Sequence, residues 1–235
     1  MCGRYTQTKL EAILRKRFRF GEGGPEIVPR YNIAPTQDAP VVLEGASGRE
    51  LHLFRWGLVP AWAKDLTVGN RMINARAETL TEKPSFDEPL RTRRCLVLAD
   101  GFYEWRKTGK TKIPVRFALR AEAPFAFAGL HDAWRDPKSG DVRRTFTIVT
   151  TTPNELAAEV HDRMPAILRE GDEETWLDPA VTHPERLLPL LGPYPADRMA
   201  ARDASLRVGS PANDDPECLE PSEAPHPAQR DLFSE

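Results

Sequence analysis

Long apolar runs are missing from this 235-residue sequence. No stretch approaches the roughly 18 uninterrupted apolar residues that a membrane helix needs. The opening segment, MCGRYTQTKLEAILRKRF, has neither the continuous apolar stretch nor the small-residue cleavage site of a secretory signal. A soluble cytoplasmic chain with no membrane partner is therefore expected. Cysteine is scarce: Cys2, Cys95 and Cys218 are odd in number, far apart and form no Cys-x-x-Cys pair. That argues against a disulfide framework and a structural zinc site, and nothing in the sequence calls for a metal or an organic cofactor. Cys95, inside RCLVLAD, reads as a small buried hydrophobe, and Cys218 lies in a polar tail with no visible partner. A strong charge of one sign is also lacking, the net being −2. Residues 209–235 hold seven acidic residues against one basic residue, which leaves the preceding 208 at +4. A mildly basic body is compatible with a phosphate-binding surface without demanding one.

What is present is 40% apolar residues, enough for one sizeable core. Leu10, Ile13, Leu14 and Phe18 recur at helical spacing and predict a helix over Thr8–Phe18. The segment GEGGPEIVPRYNIAPTQ is punctuated too often to be regular. Strands are predicted at PVVLE, LHLFRWGLV, RCLVLADGFYEW, IPVRFALR, FAFAGLHDAW and RTFTIVTTT, all rich in Val, Ile, Phe and Trp. Trp56 reads as a core tryptophan on one of them. Thr152-Pro153-Asn154-Glu155 predicts a helix start with Thr152 as cap and Glu155 closing a capping box, which puts His161 near the helix end. Short helices are expected around 172–177 and 183–191. The sum is an α+β domain over residues 1–208, with a curved, barrel-like, mostly antiparallel sheet flanked by helices. Residues 209–235, dominated by Pro, Ser, Asp and Glu, are expected to be a disordered tail.

Cys2 carries the most specific chemistry. If Met1 is removed, Cys2 offers an α-amine and a thiol on adjacent carbons. An α-amine titrates near 7.7–8.0, so a useful fraction is neutral and nucleophilic around pH 7. It can condense with an aldehyde to a Schiff base, and the thiol can then add to the imine and close a five-membered thiazolidine.

Several segments stand in order along the chain: MCGRY at 1–5, YNIAPTQ at 31–37, RWGLVPAWAKD at 55–65 and INARAET at 73–79. They continue with RCLVLADGFYEW at 94–105, FAFAGLHDAW at 125–134, FTIVTTTPN at 146–154 and VHDRMPAIL at 160–168. Together they resemble the SOS response-associated peptidase family of abasic-site DNA–protein crosslinking proteins, over residues 1 to about 192. The resemblance implies that family's fold and a covalent thiazolidine crosslink between Cys2 and an abasic site in single-stranded DNA, shielding the lesion during replication. It implies Asn74 as the amide that orients the Cys2 amine and the sugar. Glu104 would be the general acid/base, its pKa raised by burial beside Phe102, Tyr103 and Trp105. His161 would be a second proton-transfer or oxyanion-stabilising group. Arg4 and Arg76 would hold the flanking phosphates, Trp62 would stack on a neighbouring base, Pro35 and Thr150 would line the groove, and Arg163 would support the phosphate path. The implied partner is single-stranded DNA, with a nucleoid location when engaged; a strand-rich single domain needs no partner subunit, so a monomer is expected.

Outside that resemblance, Gln229-Arg230-Asp231-Leu232-Phe233 looks like the short peptide through which bacterial proteins dock on the replication sliding clamp. Leu232 and Phe233 would be its apolar anchors and Gln229 its hydrogen-bonding residue. Two other functions stay open. One is a thiol peptidase or autopeptidase using Cys2 and His161. The other is a non-covalent reader of single-stranded or modified DNA that does not require Cys2.

Overall fold

The computed structural model describes residues 2–221. The tail motif Gln229, Leu232, Phe233 therefore lies outside the described residues. In chain order the elements are β1 (Tyr5–Gln7), α1 (Glu11–Phe18), β2 (Arg30–Ile33), β3 (Asp38–Gly45), β4 (Gly48–Trp56), β5 (Asn74–Arg76) and α2 (Pro84–Thr92). β6 (Arg94–Ala99), β7 (Gly101–Thr108), β8 (Thr111–Leu119), β9 (Phe125–Arg135) and β10 (Val142–Thr151) follow. The chain continues with α3 (Glu155–Ala158), β11 (Met164–Pro165), α4 (Glu173–Leu177), α5 (Pro184–Leu187) and β12 (Met199–Asp203).

Strands β10, β4, β3, β6 and β9 pair in that order, and β9 pairs back to β10 to close a barrel. All its pairings are antiparallel except β4 with β10. β5 and β11 extend β10. A second, antiparallel sheet has the order β12–β8–β7–β1–β2. The period of two along a strand sorts side chains between two cores. Val41, Val97, Phe127 and Ile148 join Tyr5, Phe102 and Phe117 of the second sheet. Their neighbours Val42, Leu96, Ala128 and Val149 face Leu14, Phe18, Leu90 and Trp176 of the helices. Trp56 is fully buried in the first core, with Tyr5 edge-on at 5.2 Å, and Cys95 is a buried hydrophobe beside it. The expected α+β fold with a barrel-like, mostly antiparallel sheet is present, and the β9–β10 pairing closes that sheet into a barrel.

Local departures have identifiable causes. RCLVLADGFYEW is not one strand: it breaks at Asp100, and its halves enter different sheets. The fully buried Asp100 carboxylate accepts from Thr6 Oγ1 (2.5 Å), Thr8 N (2.9 Å) and the Thr8 hydroxyl, which fastens β1 to the start of β7. Gly101 is required there, because a Cβ would stand 2.6 Å from Arg116 Nε and 2.8 Å from Thr6 Oγ1. With Thr8 held by Asp100, the first helix begins at Glu11 rather than Thr8. The helix after β10 is capped by Asn154, not Thr152: the Asn154 side chain accepts from Ala157 N at 2.8 Å.

The expected boundary at residue 209 is corrected. Asp214 accepts from Tyr31 N (2.5 Å) and Asn32 N (2.9 Å), and its carboxylate meets the Arg30 guanidinium. The buried Asn32 amide donates to Ser210 O (2.9 Å) and Asn213 O (2.8 Å). Cys218 is fully buried and packs with Tyr103, Ala204 and Val208. Composition hid this because the segment is held by polar groups to the backbone of β2, with few apolar residues of its own. No helix of the described residues is long and apolar enough to cross a membrane.

Candidate active site

Cys2 lies just before β1, on the strand that Asp100 fastens against β7. The pairing Tyr5↔Phe102, extended by the hydrogen bond from Tyr103 N to Arg4 O (3.0 Å), brings the first residues alongside Glu104. The Cys2 side chain is fully buried, and its thiol donates to Arg4 O at 3.8 Å. Burial pushes that thiol far above its ordinary pKa, and the negative charge of Glu104 adds to the shift. Cys2 is thus held as a thiol, not a thiolate. Glu104 is only 4% exposed, and burial lifts its carboxyl above the ordinary carboxylate value.

His161 Nε2 stands 4.0 Å from Glu104 Oε2. His161 Nδ1 accepts the backbone N–H of Arg163 at 3.1 Å, while Asp162 Oδ1 also lies 2.9 Å from that nitrogen. The two contacts demand opposite protonation of Nδ1. We assign the acceptor role, because the backbone N–H is fixed whereas the Asp162 carboxylate is solvent-exposed. In the neutral ring the proton then sits on Nε2, toward Glu104.

Arg163 links this group to the next. Its guanidinium is bidentate to Glu78 at 2.7 and 2.8 Å and donates to Thr150 O at 2.7 Å. Thr150 is buried on β10, opposite Arg76 of β5, with its hydroxyl 3.5 Å from Ala75 O. Arg76 is exposed. Asn74 begins β5; its Nδ2 donates to Ile73 O at 3.0 Å, and its Oδ1 is buried without a hydrogen-bond partner among the described residues. Arg4 Nη1 donates to Gly3 O at 3.0 Å, and its Nε is likewise buried and unpaired.

Pro35 and Trp62 stand on separate loops outside this hydrogen-bonded group. Pro35 precedes Thr36, which takes a left-handed conformation (φ 75°), a strained position for a threonine. Trp62 is 69% exposed at the tip of a turn. Its neighbours are pinned, Ala61 N donating to Asp132 Oδ2 (3.1 Å) and Ala63 O accepting from Trp134 Nε1 (2.7 Å). This indole is held in solvent by a fixed turn and is not part of the core.

The structure brings together Cys2, Glu104 and His161, and fixes Asn74, Thr150 and Arg163 on the adjoining strand pair. Residues 1–211 match SOS response associated peptidase (SRAP). The chain belongs to the SRAP family. Among SRAP relatives, it is 47% identical over 223 residues to "Abasic site processing protein YoqW" of Bacillus subtilis, covering 94% of this chain and 99% of the relative. It is 37% identical to "Abasic site processing protein HMCES" of Gallus gallus, covering 83% of this chain and 67% of the relative. A crystal structure of a protein from Bacteroides thetaiotaomicron superposes with a TM-score of 0.83 at 29% identity, covering 94% of this chain and all of that one.

Sequence reasoning missed two parts of this SRAP site. Glu78 is the partner that orients Arg163, and the acid in INARAET carried no signal of that contact. Trp105, Lys107 and Lys112 join Glu104 and His161 in lining an open pocket of about 410 Å³. The run WRKTGKTK, with four cations in eight residues, was the available signal for it.

Proposed function

We propose that this protein captures the ring-opened aldehyde of an abasic site in single-stranded DNA through the N-terminal amine and thiol of Cys2, once Met1 is removed. The names of the relatives above support abasic-site processing as the general activity. The observation that carries the chemistry is the pairing of a buried, protonated Cys2 thiol with a buried carboxyl, Glu104, whose pKa is raised.

The order of events follows from those protonation states. The neutral α-amine attacks the aldehyde carbon to give a carbinolamine. Glu104, whose protonated form burial favours, donates to the departing hydroxyl, and water leaves as the protonated imine forms. The Cys2 thiol then adds to the carbon of the protonated imine, and its proton goes to the Glu104 carboxylate, which restores the acid and leaves a neutral ring nitrogen. Aldehyde and aminothiol become thiazolidine and water, with no oxidant consumed. Asn74 Oδ1 offers an acceptor for the amine N–H. His161, with Nε2–H toward Glu104, stabilises oxygen as it develops charge. Arg4 and Arg76 hold flanking phosphates, Arg163 and Thr150 brace the groove, Pro35 lines it, and Trp62 stacks on a base. A peptidase built on a Cys2 thiolate and His161 imidazolium finds no support in a thiol that burial keeps protonated. The tail residues Gln229, Leu232 and Phe233 would tether the protein to the sliding clamp, and deleting residues 229–233 should then abolish clamp binding without affecting crosslinking.

The test is a denaturing gel of the full chain mixed with single-stranded DNA carrying one abasic site, with mass spectrometry of the N-terminus. A slow band that disappears with Cys2→Ala, and when an alkoxyamine blocks the aldehyde, is the expected result. Binding that survives Cys2→Ala and never resists denaturation would overturn the proposal in favour of a non-covalent reader.

A further inference from the structure

The hairpin of β7 and β8 carries cations that the chemistry at Cys2 does not use. Its register places Lys107 directly opposite Lys112, two steps beyond the pair Trp105↔Pro114. Directly opposed residues of an antiparallel pair project from the same face, so the two ammonium groups share one side with Trp105. Like charges in that arrangement repel. Among the described residues no carboxylate lies within ion-pair distance of Lys107, Lys110 or Lys112, whereas Arg106 Nη2 donates to both carboxylate oxygens of Asp203 at 2.7 Å. Both lysines are exposed, and both line the pocket that also contains Glu104 and His161. The β1–β7 register, Tyr5↔Phe102 extended by Tyr103 N to Arg4 O, sets Cys2 level with Trp105, so the Lys107 end of β7 projects beyond the segment that carries Cys2.

An uncompensated pair of cations at the open side of a site is relieved by an anion between them. We propose that Lys107 and Lys112 form a phosphate subsite that grips one phosphodiester of the single strand beside the nucleotide held at Cys2. Trp105 closes the floor of the subsite, and Lys110 at the hairpin tip adds to its field. This inference rests on the reading of the site as one for single-stranded DNA.

The test compares the full-length protein with Lys107→Gln/Lys112→Gln, measuring the half-saturating concentration of abasic single-stranded DNA for adduct formation across a salt series. The double variant should need on the order of fivefold more DNA at 0.1 M salt, and its log–log salt slope should be shallower by about 0.7, the value for one phosphate contact on a single strand. Shortening the oligonucleotide from one end, a nucleotide at a time, should reach a length at which the two proteins become equal. The melting temperature of the double variant should equal or exceed that of the wild type, because a repulsion is removed. Equal half-saturation and equal salt slopes would overturn the subsite, as would an affinity loss accompanied by a fall in melting temperature. If the wild type forms no adduct and shows no affinity for single-stranded DNA, it is the reading of the site itself that fails.

Discussion

Arg163 and Glu78 form a bidentate pair at 2.7 and 2.8 Å, while the backbone N–H of the same arginine fixes the His161 ring. One residue therefore holds an imidazole on one side and the β5–β10 edge on the other. Its guanidinium charge is largely met by Glu78, whose own pKa is lowered by the bond. Arg163 is thus better suited to positioning than to carrying a phosphate alone, and the exposed Arg76 is the freer cation of the two. The expectations below follow from this division between held and free groups.

Glu104→Gln is expected to slow adduct formation about 100- to 10,000-fold at neutral pH, the usual worth of a positioned proton donor. It should not weaken the fold. The folded-state pKa of Glu104 lies above its unfolded value. Its contribution to stability is therefore greatest below the ordinary carboxylate range and declines as pH rises through the folded-state value. Glu104→Gln should accordingly melt at or above the wild-type temperature at pH 8. Thermal melts at pH 5 and pH 8 with single-turnover gel assays check both halves; a marked drop in melting temperature at pH 8 would show that burial is not what dominates at this carboxyl.

Cys2→Ser separates the amine from the thiol. The amine remains, so borohydride should trap an imine with abasic DNA. Without reduction, the adduct should hydrolyse and no band should persist after denaturation and heating. A persistent unreduced band with Cys2→Ser would show that sulfur is not needed for the durable bond.

Trp62→Ala is expected to leave stability within about 0.5 kcal/mol, because the side chain is 69% exposed. Single-stranded DNA binding should weaken by about 1–3 kcal/mol, the worth of one base stacked on an aromatic ring, or roughly 5- to 150-fold. Fluorescence anisotropy with an undamaged single strand measures this apart from the covalent step.

Ending the chain at residue 208 should destabilise it relative to a chain ending at 221. The shorter chain strips Asn32 Nδ2 of its Ser210 and Asn213 acceptors and removes Asp214 from the Tyr31 and Asn32 amides. Each buried polar group left unpaired costs about 1–3 kcal/mol, and in a chain of this size each kcal/mol lowers the melting temperature by about 2–4 °C. Differential scanning calorimetry of the two truncations decides it.

The sequence by itself determined the long strands β3, β4 and β6 to β10 and the core roles of Trp56 and Cys95, and it supplied the aminothiol chemistry proposed for Cys2, because alternation, burial preference and functional-group chemistry are properties of short segments. It missed the short strands β1, β2, β5 and β12, β2 lying in a stretch read as irregular. The ordered motifs also carried the family. Tertiary structure decided the rest. It set the break at Asp100, where one buried carboxylate ties β1 to β7, and the packing of residues 209–220, which polar hydrogen bonds hold where composition suggested none. It set the partner of Arg163, since Glu78 is 85 residues away along the chain. It also set the state of Cys2: a cysteine near a chain start reads as an accessible nucleophile, yet the fold buries it beside Glu104 and keeps its sulfur protonated. Protonation state depends on desolvation and neighbouring charge, and those exist only once distant strands have met.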